Sequence, residues 1–120
     1  MQAPPVLPQP FETEAVWHWC AFDALTVREL YNIYRARQQV FVLDQGSLYA
    51  DADACDAHSH HLAAWSALQE LPLAYARVLA PGVKYTEPAI GRVLTLPAVR
   101  GQGWGRRLMQ RALAEAAQLY

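Results

Sequence analysis

Lysine is almost missing from this 120-residue chain: Lys84 stands alone against nine arginines. Genomic composition accounts for such a ratio most simply, although arginine also suits bidentate contacts to phosphate and carboxylate. Excess charge is missing too, the net value being −1. The strongly basic face that usually marks a nucleic-acid binder is therefore not expected. Cysteine is limited to Cys20 and Cys55, too few for a disulfide framework and not arranged as C-x-x-C. No apolar run approaches the roughly 18 residues of a membrane-spanning helix, and no basic stretch before an apolar one marks a secretory signal. These absences describe a soluble cytoplasmic chain with reduced thiols and neither nucleic acid nor membrane among its partners. What is present, 53% hydrophobic and 18% charged residues, suits one globular domain.

Prolines crowd the first ten positions, at Pro4, Pro5, Pro8 and Pro10. Proline cannot continue a helix or a central strand, so residues 1–14 are expected to form an extended head and 15–120 the folded domain. Ala15–Phe22 alternates Trp17 and Trp19 with Val16, His18 and Cys20, which is a period-2 strand. Thr26-Val-Arg-Glu29 reads as a capping box. Leu30, Ile33, Tyr34, Arg37, Val40 and Phe41 follow at helical spacing, giving a helix from Val27 to Phe41 that Asp44-Gln-Gly46 ends. Ser47–His61 is expected to be a polar, acidic loop. Leu62–Ser66 and Leu73–Leu79 form an antiparallel hairpin across a polar turn. Ile90–Thr95 is the fourth strand, and Gly105–Tyr120, rich in Ala and Leu, is the second helix. The order β-α-β-β-β-α defines an α+β (mixed α/β) fold with a mainly antiparallel central sheet.

Ile90–Met109 carries the clearest chemistry. Gly101, Gly103 and Gly105 alternate directly before a helix, between Arg100 and Arg106. Bare amides at a helix N-terminus can hold a phosphate, the helix dipole favours the anion, and arginine adds charge-assisted bonds. The same glycines also fit a plain tight connection that needs positive φ or close backbone packing. Arg107 and Arg111 fall on the expected solvent face of the helix.

Asp51, Asp53, Cys55, Asp56, His58, His60 and His61 crowd the acidic loop. Their spacing matches neither an EF-hand, which needs glycine where Asp56 stands, nor a zinc pattern, so no metal is assigned. They are expected to hydrogen-bond the loop backbone and line part of a cleft. His60 and His61 are candidates for a catalytic base because histidine titrates near neutrality; a structural role at the start of a strand is the alternative for each. Arg37 lies on an otherwise apolar helix face, so its head group should meet a carboxylate, either Asp44 or the acidic loop. Tyr75 and Arg77, two apart on a strand, share a face and either point into a cleft or pack. Trp17, Trp19 and Trp65 read as core. Cys20 is expected to be inert, and Cys55 lacks the neighbours of a nucleophile.

Arg100-Gly101-Gln102-Gly103-Trp104-Gly105 resembles the R/Q-x-x-G-x-G/A acetyl-CoA signature of the GNAT (Gcn5-related) N-acetyltransferases. Leu30-Tyr31, Arg37–Gln45, Tyr49-x-Asp51-x-Asp53, His60-His61-Leu62, Ala74–Leu79 and Ile90-Gly-Arg-Val, in that order, are similar to the ElaA-like branch. The resemblance covers Trp17–Tyr120. It implies acetyl-CoA as the co-substrate, with the amides of Gln102, Gly103, Trp104, Gly105 and Arg106 on the pyrophosphate. The backbone of Val93, Leu94 and Thr95 would pair with the pantetheine amides. The implied activity is acetyl transfer to a small-molecule or peptide amine by direct attack on the thioester. A catalytically inactive CoA-binding or interaction module of the same fold is the alternative. Family members continue past this helix with a strand, a helix and a closing pair of strands, which include the tyrosine often proposed as general acid. The chain is thus expected to be a C-terminally truncated domain, or one completed by another chain. An uncovered fourth strand would favour a homodimer.

Overall fold

A computed structural model describes residues 15–120; the expected proline-rich head lies outside them. Four strands, β1 (Val16–Ala21), β2 (Ser59–Trp65), β3 (Ala74–Leu79) and β4 (Ala89–Thr95), pair in chain order. Every pairing is antiparallel. The helices are α1 (Val27–Arg37), between β1 and β2, and α2 (Trp104–Leu119), after β4. The expected β-α-β-β-β-α order is the observed one. No described helix is long and apolar enough to cross a membrane.

Side-chain alternation and register sort the sheet into two faces. Trp17 opposes Ala64 and Trp19 opposes Leu62, which in turn opposes Ala76. This face meets α2: the Trp104 ring lies 6.0 Å from that of Trp17. The other face carries His61, Tyr75 and Arg77 and meets α1, whose Arg37 guanidinium lies 5.9 Å from the Tyr75 ring. A sheet covered on both sides explains β3, in which every residue is buried. α2 contributes Trp104, Leu108 and Ala112, buried at four-residue spacing along one stripe. α1 contributes Ile33 and Ala36, with Val40 and Phe41 just beyond it.

The capping box forms as expected: Glu29 N–H donates to Thr26 Oγ1 at 3.0 Å, and Thr26 N–H donates to Glu29 Oε1 at 2.9 Å. The helix expected through Phe41 keeps α geometry only to Arg37; Gln38–Asp44 continues as a π-helical turn. A hydrogen bond of 2.9 Å from Gln39 Nε2 to Asp44 Oδ1 spans five residues, which suits the wider turn. Gly46, at φ 69°, then ends it, with Ser47 N–H donating back to Phe41 O at 2.9 Å. A second correction concerns the acidic loop, which ends at His58 rather than His61. Ser59, His60 and His61 belong to β2 because β3 pairs with all three and β1 with His60 and His61, and each side chain finds its own partner: Cys55 O, the Trp19 ring, and Asp56 O with Tyr75.

Leu108 is fully buried and Leu113, on the same helix, is 58% exposed. Leu108→Ala is expected to cost about 2–5 kcal/mol and Leu113→Ala no more than about 0.5 kcal/mol, both measured by urea unfolding.

Candidate active site

β4 leaves the regular ladder at its centre. Leu94 opposes Tyr75 and Gly91 opposes Arg77, so Arg92 and Val93 together face the single residue Ala76. This is a bulge. Arg92 has φ 52°, left-handed for a residue with a side chain, a conformation that costs about 1–2 kcal/mol. Val93 emerges 38% exposed, whereas Leu94 turns back into the core. Thr95 ends the strand against the next element: its Cγ2 lies 4.0 Å from where a Cβ on Gly105 would stand.

A short 3-10 turn, Pro97–Val99, leads into the glycine turn. Gly101 and Gly103 both adopt φ 83°, and a Cβ added to either would meet nothing within 4 Å. Their need is therefore conformational rather than steric. Gly103 is the N-cap of the 16-residue α2 and no side chain caps it. The first intrahelical donor is Arg107, bonded to Gly103 O at 3.2 Å. The amides of Trp104, Gly105 and Arg106 thus lack helical partners and carry the positive end of the helix dipole. Arg100, Gly101, Gly103, Gly105 and Arg106 are exposed, and Gln102 is half-buried. Trp104 points the other way, its side chain being 1% exposed in the core, so it offers a ligand only its backbone. Arg107 and Arg111 do more than face solvent. The Arg107 guanidinium lies 4.4 Å from the Trp104 ring centroid, and that of Arg111 lies 5.0 Å from the Trp17 ring.

On the α1 side, three arginines from three elements converge on the acidic loop. Arg37, fully buried, reaches Asp51 Oδ2 with Nε at 2.9 Å and Asp56 Oδ1 at 2.7 Å. Arg77 reaches Asp53 Oδ1 at 2.7 Å and Asp56 Oδ1 at 3.0 Å. Arg92 reaches Asp51 Oδ1 at 3.1 Å and Asp53 Oδ2 at 3.2 Å. Of the two partners expected for Arg37, the acidic loop is the one observed; Asp44 pairs with Gln39 instead. Burial alone would push the Asp56 carboxyl up, but the hydrogen bonds and charges of Arg37 and Arg77 outweigh it and hold it below the usual carboxylate range. Asp53 is likewise held low, burial being opposed by Arg77 and Arg92. The charges of the cluster balance, as burial requires.

The two candidate histidines part company. His60 opposes Val78 on the α2 face and stacks on Trp19 at 5.0 Å. His61 is buried on the opposite face, with Nε2 3.0 Å from Asp56 O and Nδ1 2.6 Å from the Tyr75 hydroxyl. A carbonyl only accepts, so Nε2 carries the proton and Nδ1 accepts from Tyr75. Burial pushes the Tyr75 phenol pKa up and that of His61 down, which suits a neutral donor–acceptor pair. Tyr75 and Arg77 share a face as expected, and both are buried. Beside the cluster, Tyr34, Gln38, Val42, Asp51 and Ala52 line an open cleft of about 260 Å³. The π-helical turn, which lines this cleft through Gln38 and Val42, and the bulge have no simple signal in the residue pattern. Arg92 was visible only as part of the Ile-Gly-Arg-Val segment.

The profile of the Acetyltransferase (GNAT) family matches residues 27–119. The chain belongs to this family. A UPF0039 protein of Synechocystis is 39% identical over 107 residues, 89% of this chain and 69% of that protein. Protein ElaA of Escherichia coli is 34% identical over 99 residues, 81% of this chain and 63% of ElaA. The chain thus spans 63–69% of the length of these relatives. Among solved structures, an acyl-CoA N-acyltransferase from Pseudomonas aeruginosa superposes with a TM-score of 0.81 at 39% identity, covering 88% of this chain and 73% of that one. E. coli ElaA gives 0.80 at 30% identity, covering 87% and 70%. The GNAT fold and the ElaA-like branch are both those expected from the sequence.

His61 is more readily protonated in the unfolded chain than in the fold, so its contribution to stability is complete above about pH 6.5 and is lost as pH falls below it. Asp53 and Asp56 are shifted down, so their contribution is present above about pH 4 and lost on further acidification. Thermal melts are expected to show both stages, and His61→Gln to abolish the first.

Proposed function

We propose that this GNAT chain is a cytoplasmic acetyl-CoA-dependent N-acetyltransferase acting on a small-molecule or peptide amine. The observation that carries the reading is the closeness of Thr95, at the end of the bulged β4, to Gly105 in the uncapped first turn of α2, where an added Cβ would lie 4.0 Å from Thr95 Cγ2. One end suits an extended amide-bearing arm and the other a pyrophosphate. The amides of Gln102–Arg106 would bind the pyrophosphate, with Arg100 and Arg106 supplying charge, and the backbone of Val93, Leu94 and Thr95 would pair with pantetheine. Positive-φ glycines at 101 and 103 keep the approach free of side chains.

The amine would enter by the cleft beside Asp51. Its nitrogen, deprotonated through water or a cleft residue, attacks the thioester carbonyl. The C–N bond forms, the C–S bond breaks, and the thiolate leaves to take up a proton. A backbone N–H at the bulge would stabilise the oxyanion without reorganisation. Holding amine and thioester in attacking geometry supplies much of the rate. His61, with both ring nitrogens engaged, suits support of Tyr75 and the loop better than proton transfer.

Calorimetry is expected to give micromolar CoA affinity. Gly103→Val, which forces a β-branched residue to φ 83°, is expected to weaken it by about tenfold or more. Acetyl transfer, followed by release of the CoA thiol across a panel of amines, should exceed background. CoA binding with transfer at background would instead identify a catalytically inactive CoA-binding module. No CoA binding to the full-length protein would overturn both.

A further inference from the structure

Arg92 combines an uncommon backbone conformation with a dense set of side-chain contacts. It occupies the left-handed region at φ 52° within the β4 bulge. Glycine would adopt that conformation without strain, and Gly91 is the preceding residue. A side chain retained at such a position points to a task for that side chain. The guanidinium of Arg92 is spent entirely on one segment. Its NH2 donates to Asp51 O at 3.1 Å and to Asp53 Oδ2 at 3.2 Å. Its Nε lies 3.1 Å from Asp51 Oδ1, and its Cζ lies 4.8 Å from the Tyr49 ring centroid. The same segment is held from behind by Arg37 of α1 through Asp51 and by Arg77 of β3 through Asp53.

We infer that Arg92 is a positioning residue, a latch joining the acidic loop to the β4 bulge so that the loop wall of the cleft and the backbone direction at Val93 are set together. Arg37 and Arg77 hold the loop to the frame, and Arg92 alone among the described residues ties it to the bulge. The planar fork is essential, because one guanidinium must donate to the Asp51 carbonyl and the Asp53 carboxylate at once while lying beside the Asp51 carboxylate, and a lysine ammonium offers a point charge without that geometry. Asp51 also lines the cleft assigned to the amine, so the latch links the acceptor side to the acyl side. The kinetic consequence rests on the acetyl-transfer reading; the mechanical coupling does not.

Arg92→Gly keeps the positive φ and removes the guanidinium, and Arg92→Lys keeps the charge and removes the fork. Hydrogen exchange by mass spectrometry is read on peptides spanning 49–56 and 90–96, with α2 as the internal reference. Both peptides should exchange about tenfold faster in Arg92→Gly and α2 much less, with Arg92→Lys restoring only part of the protection. kcat for acetyl transfer should fall by about tenfold to a hundredfold, while CoA affinity falls less, by about threefold to tenfold, because pairing of pantetheine with Val93–Thr95 loosens but the pyrophosphate contacts share no partner with Arg92. Unchanged exchange in either peptide of Arg92→Gly, or full recovery in Arg92→Lys, overturns the latch. Faster exchange with an unchanged kcat overturns the positioning role. Faster exchange in a protein whose wild type transfers no acetyl group supports the latch and refutes the acetyltransferase reading separately.

Discussion

The Arg37 guanidinium has no exposed surface, and a charge so placed must be neutralised where it lies. Asp51 and Asp56 do this, and in doing so draw an otherwise polar loop onto the α1 face of the sheet. Asp56 cannot serve Arg37 alone: its Oδ1 also meets Arg77 of β3, and its backbone carbonyl accepts from His61. Helix, central strand and loop are thereby committed to one arrangement. Removing one partner would strand the others in a low-dielectric interior, which ties the integrity of the cluster to that of the fold.

The sheet divides the protein's work between its faces. The α2 face is apolar, built on Trp17, Leu62, Leu108 and Trp104, with two guanidinium groups laid over the tryptophans. The α1 face is ionic, with its arginines and aspartates matched. β4 belongs to both. Its bulge answers to the ionic cluster through Arg92, and its end meets the helix start through Thr95. The proposed cofactor path therefore runs along a strand that touches both layers. The cost of that position is visible in the strained φ of Arg92.

Much of this was legible in the residues. Period-2 alternation marked β1, the Thr26–Glu29 box marked the start of α1, and alternate glycines before an Ala-rich run marked the α2 start. Each is a local signal, read within one or two turns of chain. The misplaced elements were those decided by distant partners. His60 and His61 look like loop residues until Trp19 and Tyr75 arrive from other strands. Arg107 and Arg111 do face solvent, as their positions on the helix suggest, but that they lie over Trp17 is decided only when β1 packs beneath α2.

By itself, the sequence determined the order of elements, the membership in an acetyltransferase family and the glycine turn at the head of α2. These depend on periodicity, capping and backbone freedom, all properties of neighbouring residues. Only the tertiary structure decided which carboxylates meet Arg37, where β4 bulges and why an arginine occupies that bulge. Those outcomes depend on charges and ladders contributed by segments as far apart as Arg37, Asp51 and Arg92, and nothing local to any one of them encodes the meeting.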